Sequence, residues 1–134
     1  MASITVSETV AISGGARTAP ARVGLLGHGT IGRAVVQAIA DHPHLNLVCT
    51  AALVRDAARA RAASAATLVD DPARVLDHAD VIVEVLGGVE PARTLVEAAL
   101  LRRIPVVTAN KTMMAAHGPE LRLLARETGT PLLF

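Results

Sequence analysis

Three glycines, Gly27, Gly29 and Gly32, stand at GxGxxG spacing between an apolar run over 22–26 and a stretch with helical apolar spacing. Strand, glycine turn and helix in that order can hold an anion with backbone alone. Gly27 lets the chain leave the strand in a tight turn, and Gly29, lacking a Cβ, lets linked phosphates approach the backbone. Gly32 lets the helix pack close to the strand. A helix starting near Thr30 aims unpaired N–H groups and its positive dipole end at the phosphates. Gly27, His28, Gly29, Thr30, Ile31 and Gly32 are therefore the candidate pyrophosphate cradle. The alternative is a glycine turn that serves packing alone.

Other residues qualify the ligand. Dinucleotide sites that take NAD usually carry Asp or Glu about 20 residues past the glycines, accepting from the ribose hydroxyls. Here that region reads Ala51, Ala52, Leu53, Val54, Arg55, with no carboxylate before Asp56. A planar guanidinium at Arg55 suits a 2′-phosphate, which favours NADP over NAD; otherwise Arg55 is a solvated strand-end arginine. The missing acid also counts against S-adenosylmethionine. Gly87-Gly88 and Thr108-Ala109-Asn110-Lys111 end two later apolar runs. Close backbone approach at Gly87 and a hydroxyl at Thr108 suit the nicotinamide half of a dinucleotide. Lys111 falls in a helical first turn, where its charge opposes the dipole, so a ligand-facing role is expected.

These residues need a scaffold that brings several strand ends together. Ile31, Val35, Ala38 and Ile39 predict a helix closed by Asp41-His42-Pro43. Residues 45–54 read as a strand buried on both faces, 55–66 as an Ala/Arg-rich helix, and 72–78 as a short helix capped by Asp71 with Pro72 first. A strand over 80–86 precedes a helix opened by Glu90-Pro91, with Ala92, Leu95, Val96, Ala99 and Leu100 on one face. A strand over 105–108 follows. Asn110 is expected to cap a turn over 111–116, Gly118-Pro119 to introduce a separate helix ended by Gly129, and 131–134 to begin a fifth strand. Strands alternating with helices predict a Rossmann-type, doubly wound parallel sheet in three α/β/α layers.

With 134 residues, 51% of them hydrophobic, the chain fits one domain. A net charge of +1 and a single aromatic residue, Phe134, argue against a nucleic-acid or membrane partner. No run reaches the roughly 18 to 20 apolar residues of a membrane span. The first 20 residues read as a mobile leader without the charged and apolar regions of a secretory signal, and 21–134 as the folded domain. The lone Cys49 is expected to pack as a small apolar group and fits a reducing cytoplasm. An edge strand at 131–134 suggests a chain that belongs to a longer protein.

Three stretches, VGLLGHGTIG at 23–32, DVIVEVLGGVEP at 80–91 and VVTANK at 106–111, resemble the N-terminal cofactor domain of homoserine dehydrogenase. The resemblance runs from about residue 23 to 134. It implies reversible hydride transfer between NAD(P)H and L-aspartate 4-semialdehyde, giving L-homoserine for threonine, methionine and isoleucine synthesis. It assigns the pyrophosphate to the turn from Gly27 to Gly32, the adenosine phosphate to Arg55, and the nicotinamide end to Gly87, Thr108 and Lys111. Glu84 matches a family glutamate that either acts at the site or orders the strand end. His28 stands where relatives more often carry an apolar residue. In the family the general-acid lysine and the substrate-gripping carboxylates lie in a following domain, which also builds the homo-oligomer interface. No catalytic residue and no metal ligand is therefore assigned within this chain. Two other readings stay open, a stand-alone NADPH-binding module without turnover and a related NAD(P)-dependent aldehyde or amino-acid dehydrogenase.

Overall fold

Four consecutive buried residues, Val23, Gly24, Leu25 and Leu26, make β1 (Ala21–Leu26) the central strand of the sheet. The structure, a computed structural model, describes residues 18–58, 60 and 65–134. After β1 come α1 (Thr30–Asp41), β2 (Leu47–Leu53), β3 (Thr67–Val69), α2 (Pro72–Leu76), β4 (Val81–Glu84), α3 (Ala92–Leu101), β5 (Val106–Thr108), α4 (Lys111–Thr128) and β6 (Leu132–Leu133). All pairings are parallel, in the order β3-β2-β1-β4-β5-β6. Chain direction across the sheet reverses between β1 and β4, so a crevice opens beyond their carboxyl ends.

Each face of the sheet carries its own core. On one, Leu26, Ile82 and Val106 meet Val75 of α2, Leu95, Val96 and Leu100 of α3, and Met113 and Leu121 of α4. On the other, Leu25, Cys49 and Ala52 meet Val36 of α1. This is the three-layer Rossmann-type architecture. The five apolar positions anticipated for α3 are all buried, and Asp71 caps α2 by accepting from the Ala73 N–H at 3.0 Å. Gly24 shows how close the layers lie: a Cβ there would stand 2.8 Å from Ile82 Cδ1 and 2.9 Å from Val75 Cγ1. At the other end of β1, Arg22 forks onto Asp80 with contacts of 3.2 and 3.1 Å, tying β1 to the start of β4.

The chain departs from expectation in three places. Gly118-Pro119 does not separate two helices, because α4 runs unbroken through it. Met114, Gly118, Leu121 and Ala125 are spaced four, three and four residues apart and all are buried, so one apolar stripe crosses the proline. Burying such side chains, at roughly 1.5–3 kcal/mol each, outweighs the roughly 3 kcal/mol that an interior proline costs. Second, the described part of 55–66 is not helical. Asp56 instead accepts twice from residues that follow it, its Oδ1 from the Ala58 N–H at 3.0 Å and its carbonyl from the Ala60 N–H at 3.1 Å. The rest of that anticipated helix, residues 59 and 61–64, lies outside the described residues, as do residues 1–17 of the leader. Third, the sheet has six strands among the described residues, because Thr67–Val69 pairs with Ala51–Leu53 of β2. Among the described residues no helix is long and apolar enough to cross a membrane, and no cluster of His, Cys, Asp or Glu could hold a metal ion.

Candidate functional site

At the tip of β1, Gly27 takes φ +107°, and a Cβ there would come within 3.0 Å of the Val85 carbonyl oxygen. The turn therefore needs glycine for its backbone as well as its size. Gly29 is the N-cap of α1 and offers no side-chain cap, and no acidic residue occupies the first turn. The first helical bond runs from the Arg33 N–H to the Gly29 carbonyl at 2.9 Å, so the N–H groups of Thr30, Ile31 and Gly32 precede the ladder. A Cβ on Gly29 would meet nothing within 4 Å, so open space lies beside the start of α1. At Gly32 a Cβ would run into the Gly27 carbonyl oxygen and lie 2.9 Å from the Gly27 carbonyl carbon. Gly32 thus closes the helix on the glycine turn itself more than on the strand.

The open space belongs to a cleft of about 320 Å³ lined by Gly29, Thr30, Ile31, Val85, Leu86, Gly87, Ala109 and Asn110. It sits where the ends of β1, β4 and β5 face one another at the switch point, and its size suits part of a cofactor. A larger cavity of about 730 Å³, between the end of α4 and β6, lies at the sheet's edge away from the glycine turn. Fold topology and convergent backbone donors favour the smaller one. Ile31 is 57% exposed, a large apolar side chain left at the cleft's rim. On the opposite wall Gly87 and Gly88 take φ of +77° and +69°, and a Cβ on either would meet nothing within 4 Å, so that loop also offers bare backbone.

Beneath the cleft lies a buried polar network. Glu84, Thr108 and Asn110 are 0%, 4% and 5% exposed. Glu84 Oε1 accepts from the Leu86 N–H at 2.7 Å and from Asn110 Nδ2 at 3.5 Å, while Oε2 accepts from the Thr108 hydroxyl at 2.5 Å. The Thr108 hydroxyl accepts in turn from the Asn110 N–H at 3.0 Å. Asn110 caps α4 through Oδ1, which accepts from the Met113 N–H at 3.0 Å, and donates through Nδ2 to the Gly88 carbonyl at 2.7 Å. No buried side-chain polar atom among the described residues lacks a partner.

Of the anticipated residues, four line this cleft and the others do not. Thr30, Ile31 and Gly87 line it with Gly29, while Thr108 turns its hydroxyl inward to Glu84. Lys111 is exposed at the first position of α4, and Arg55 is exposed just past β2. His28 is half-buried within the turn; burial first, and the nearby Arg33 charge second, lower its pKa from the ordinary value. Asn110, Val85, Leu86 and Ala109 also line the cleft, although the sequence marked only Asn110, and only as a cap.

Residues 27–134 match the family model described as homoserine dehydrogenase, NAD binding domain. Homoserine dehydrogenase of Bacillus subtilis (strain 168) is 36% identical over 129 residues, covering 84% of this chain and 29% of that protein. The Synechocystis enzyme is 33% identical over 121 residues, covering 84% of this chain and 28% of that one. Among solved structures, Staphylococcus aureus homoserine dehydrogenase at pH 7.5 superposes with a TM-score of 0.80 at 35% identity, covering 88% of this chain and 32% of that one. A hyperthermophilic archaeal homoserine dehydrogenase in complex with NADPH shares the fold, with a TM-score of 0.69 at 22% identity over 86% of this chain and 43% of that one. The chain spans less than a third of the length of these two curated relatives.

Proposed function

Because the chain belongs to the homoserine dehydrogenase family, through its NAD-binding domain, we propose that residues 21–134 seat NADP(H) for the interconversion of L-aspartate 4-semialdehyde and L-homoserine by the complete protein. The observation that carries this reading is the bare cradle. The N–H groups of Thr30, Ile31 and Gly32 precede the first helical hydrogen bond, and Gly29 before them carries no side chain and has open space where its Cβ would stand, at the switch point of a parallel sheet. The pyrophosphate rests on Gly29, Thr30, Ile31 and Gly32, with Gly27 and His28 shaping the turn. When bound, the dinucleotide supplies or accepts the hydride.

The chain's own contribution is placement. The bare backbone of Gly87 and Gly88 lets a planar ring lie against the far wall, and Ile31 offers it an apolar edge that excludes water. Lys111 brings an ammonium to the same mouth, and Thr108 acts from below through its hydrogen bonds. NADP is the preferred cofactor. Arg55 stands exposed just past β2, while the next carboxylate along the chain, Asp56, accepts from the Ala58 N–H at 3.0 Å. The complete protein works in the cytoplasm as a homo-oligomer, in the synthesis of threonine, methionine and isoleucine, with the substrate held by residues beyond this site.

Calorimetric titration of NADPH and NADH into the wild-type chain and Arg55→Ala tests the reading. Wild type is expected to bind NADPH the more tightly, and the substitution to bring the two affinities together. Equal affinities in wild type, or a ratio that Arg55→Ala leaves unchanged, would remove Arg55 from the cofactor site.

A further inference from the structure

We propose that Glu84 is a positioning residue for the nicotinamide end of the cleft. Through Thr108 and Asn110 it forms a buried strut that clamps the Gly87-Gly88 loop to the start of α4. The proposal rests on the reading of the cleft as a dinucleotide site and adds what holds its two walls at a fixed separation.

The walls come from different crossovers, one following β4 and the other β5. Gly87 and Gly88 have no side chains with which to anchor their own loop, and their positive φ angles are ones that other residues rarely adopt. At the glycine pair itself, the side-chain hydrogen bond among the described residues is the one from Asn110 Nδ2 to the Gly88 carbonyl, at 2.7 Å. Asn110 is held in turn by Thr108, which accepts its N–H at 3.0 Å, and Thr108 by Glu84 at 2.5 Å. Glu84 also grips the first part of the same loop through the Leu86 N–H at 2.7 Å. The strut therefore leaves the β4 loop at Leu86, passes through β5, and returns to the loop at Gly88.

A carboxyl group with no exposure is an expensive way to fill a strand end, since an apolar side chain would pack there without desolvating a polar group. What the network adds is direction: its hydrogen bonds fix the angles at which the linked groups meet, which an apolar contact would not impose. Glu84 itself is fully buried and cannot touch the cofactor, so its effect must pass through the loop.

The test uses the full chain and Glu84→Gln, which preserves shape. Glutamine can still accept from Leu86, but its amide faces Thr108 with a donor, leaving the threonine proton without an acceptor. Two ligands are titrated: NADPH, which reaches both ends of the cleft, and adenosine 2′,5′-bisphosphate, which has no nicotinamide half. The expected result is an NADPH dissociation constant raised about tenfold, with that of the bisphosphate within about twofold of wild type. Unchanged NADPH affinity overturns the proposal, and so does an equal loss for both ligands, which marks general loosening. If Glu84→Gln does not fold, Thr108→Val carries the same expectation, and Thr108→Ser, which keeps the hydroxyl, is expected to restore wild-type binding. A wild-type chain that binds neither ligand defeats the cleft assignment itself, and the strut with it.

Discussion

Replacing Gly29 and Gly32 by alanine, one at a time, separates what the cradle needs for folding from what it needs for binding. Gly29 lies at φ −81°, ψ −152°, an extended conformation open to alanine, and a Cβ there meets nothing within 4 Å. Alanine is the poorer N-cap, but it also restricts the unfolded chain, and the two effects leave stability within about 1 kcal/mol of wild type. The added methyl would, however, stand in the open space beside the start of α1, where the proposed function seats the phosphates. Losing two charge-assisted hydrogen bonds to phosphate costs about 3 kcal/mol or more, at least about a hundredfold in NADPH affinity. At Gly32 the methyl would collide with the Gly27 carbonyl oxygen, so Gly32→Ala is expected to lose about 1–3 kcal/mol of stability as α1 is forced off the turn. Urea denaturation and NADPH fluorescence titration on the two variants read both quantities. A Gly29→Ala chain that binds NADPH like wild type would refute the placement of the phosphates.

Two further outcomes concern the scaffold. Burial pushes the Cys49 thiol from its ordinary 9.0 up to about 11. The folded chain thus keeps a proton that the unfolded chain has lost, so stability is full below about pH 9 and falls by up to about 3 kcal/mol as pH rises toward 11. Urea melts at pH 8 and pH 10.5 should show that fall in wild type and a smaller one in Cys49→Ala; equal slopes would deny the thiol's burial. In α4, Pro119→Ala restores the missing N–H inside a continuous helix and is expected to stabilise the chain by about 1–2 kcal/mol. Thermal melting checks this, and a lower melting temperature would mean that the proline is fitted to a bend that the core requires.

What the sequence made legible was whatever depends on neighbours along the chain. Apolar runs and their bounding turns located β1, β2, β4 and β5, and Asp71-Pro72 and Gly129 marked helix ends through local capping chemistry. The unit of β1, glycine turn and α1 was visible for the same reason, since its parts are contiguous. Proline misled at 119 because its local penalty is fixed, whereas the compensating stripe from Met114 to Ala125 becomes decisive only against α3 and the sheet. Thr67–Val69 is too short to show alternation and becomes a strand by pairing with β2. The strut was hidden for a related reason: Glu84 and Thr108 are 24 residues apart, and no local pattern signals that parallel strands set them side by side. Thr108 was picked out for a hydroxyl that could face a ligand, but the register with Glu84 turns it inward.

In the proposed function, amides at the start of α1 seat the phosphates of a nicotinamide dinucleotide. Amide-resolved NMR of the chain during NADPH titration addresses it directly. Saturable shifts are expected, largest at the Gly29, Thr30, Ile31 and Gly32 amides and smaller at Gly87 and Gly88. Saturable NADPH binding that leaves those four amides unmoved, or no binding at millimolar NADPH, would contradict it.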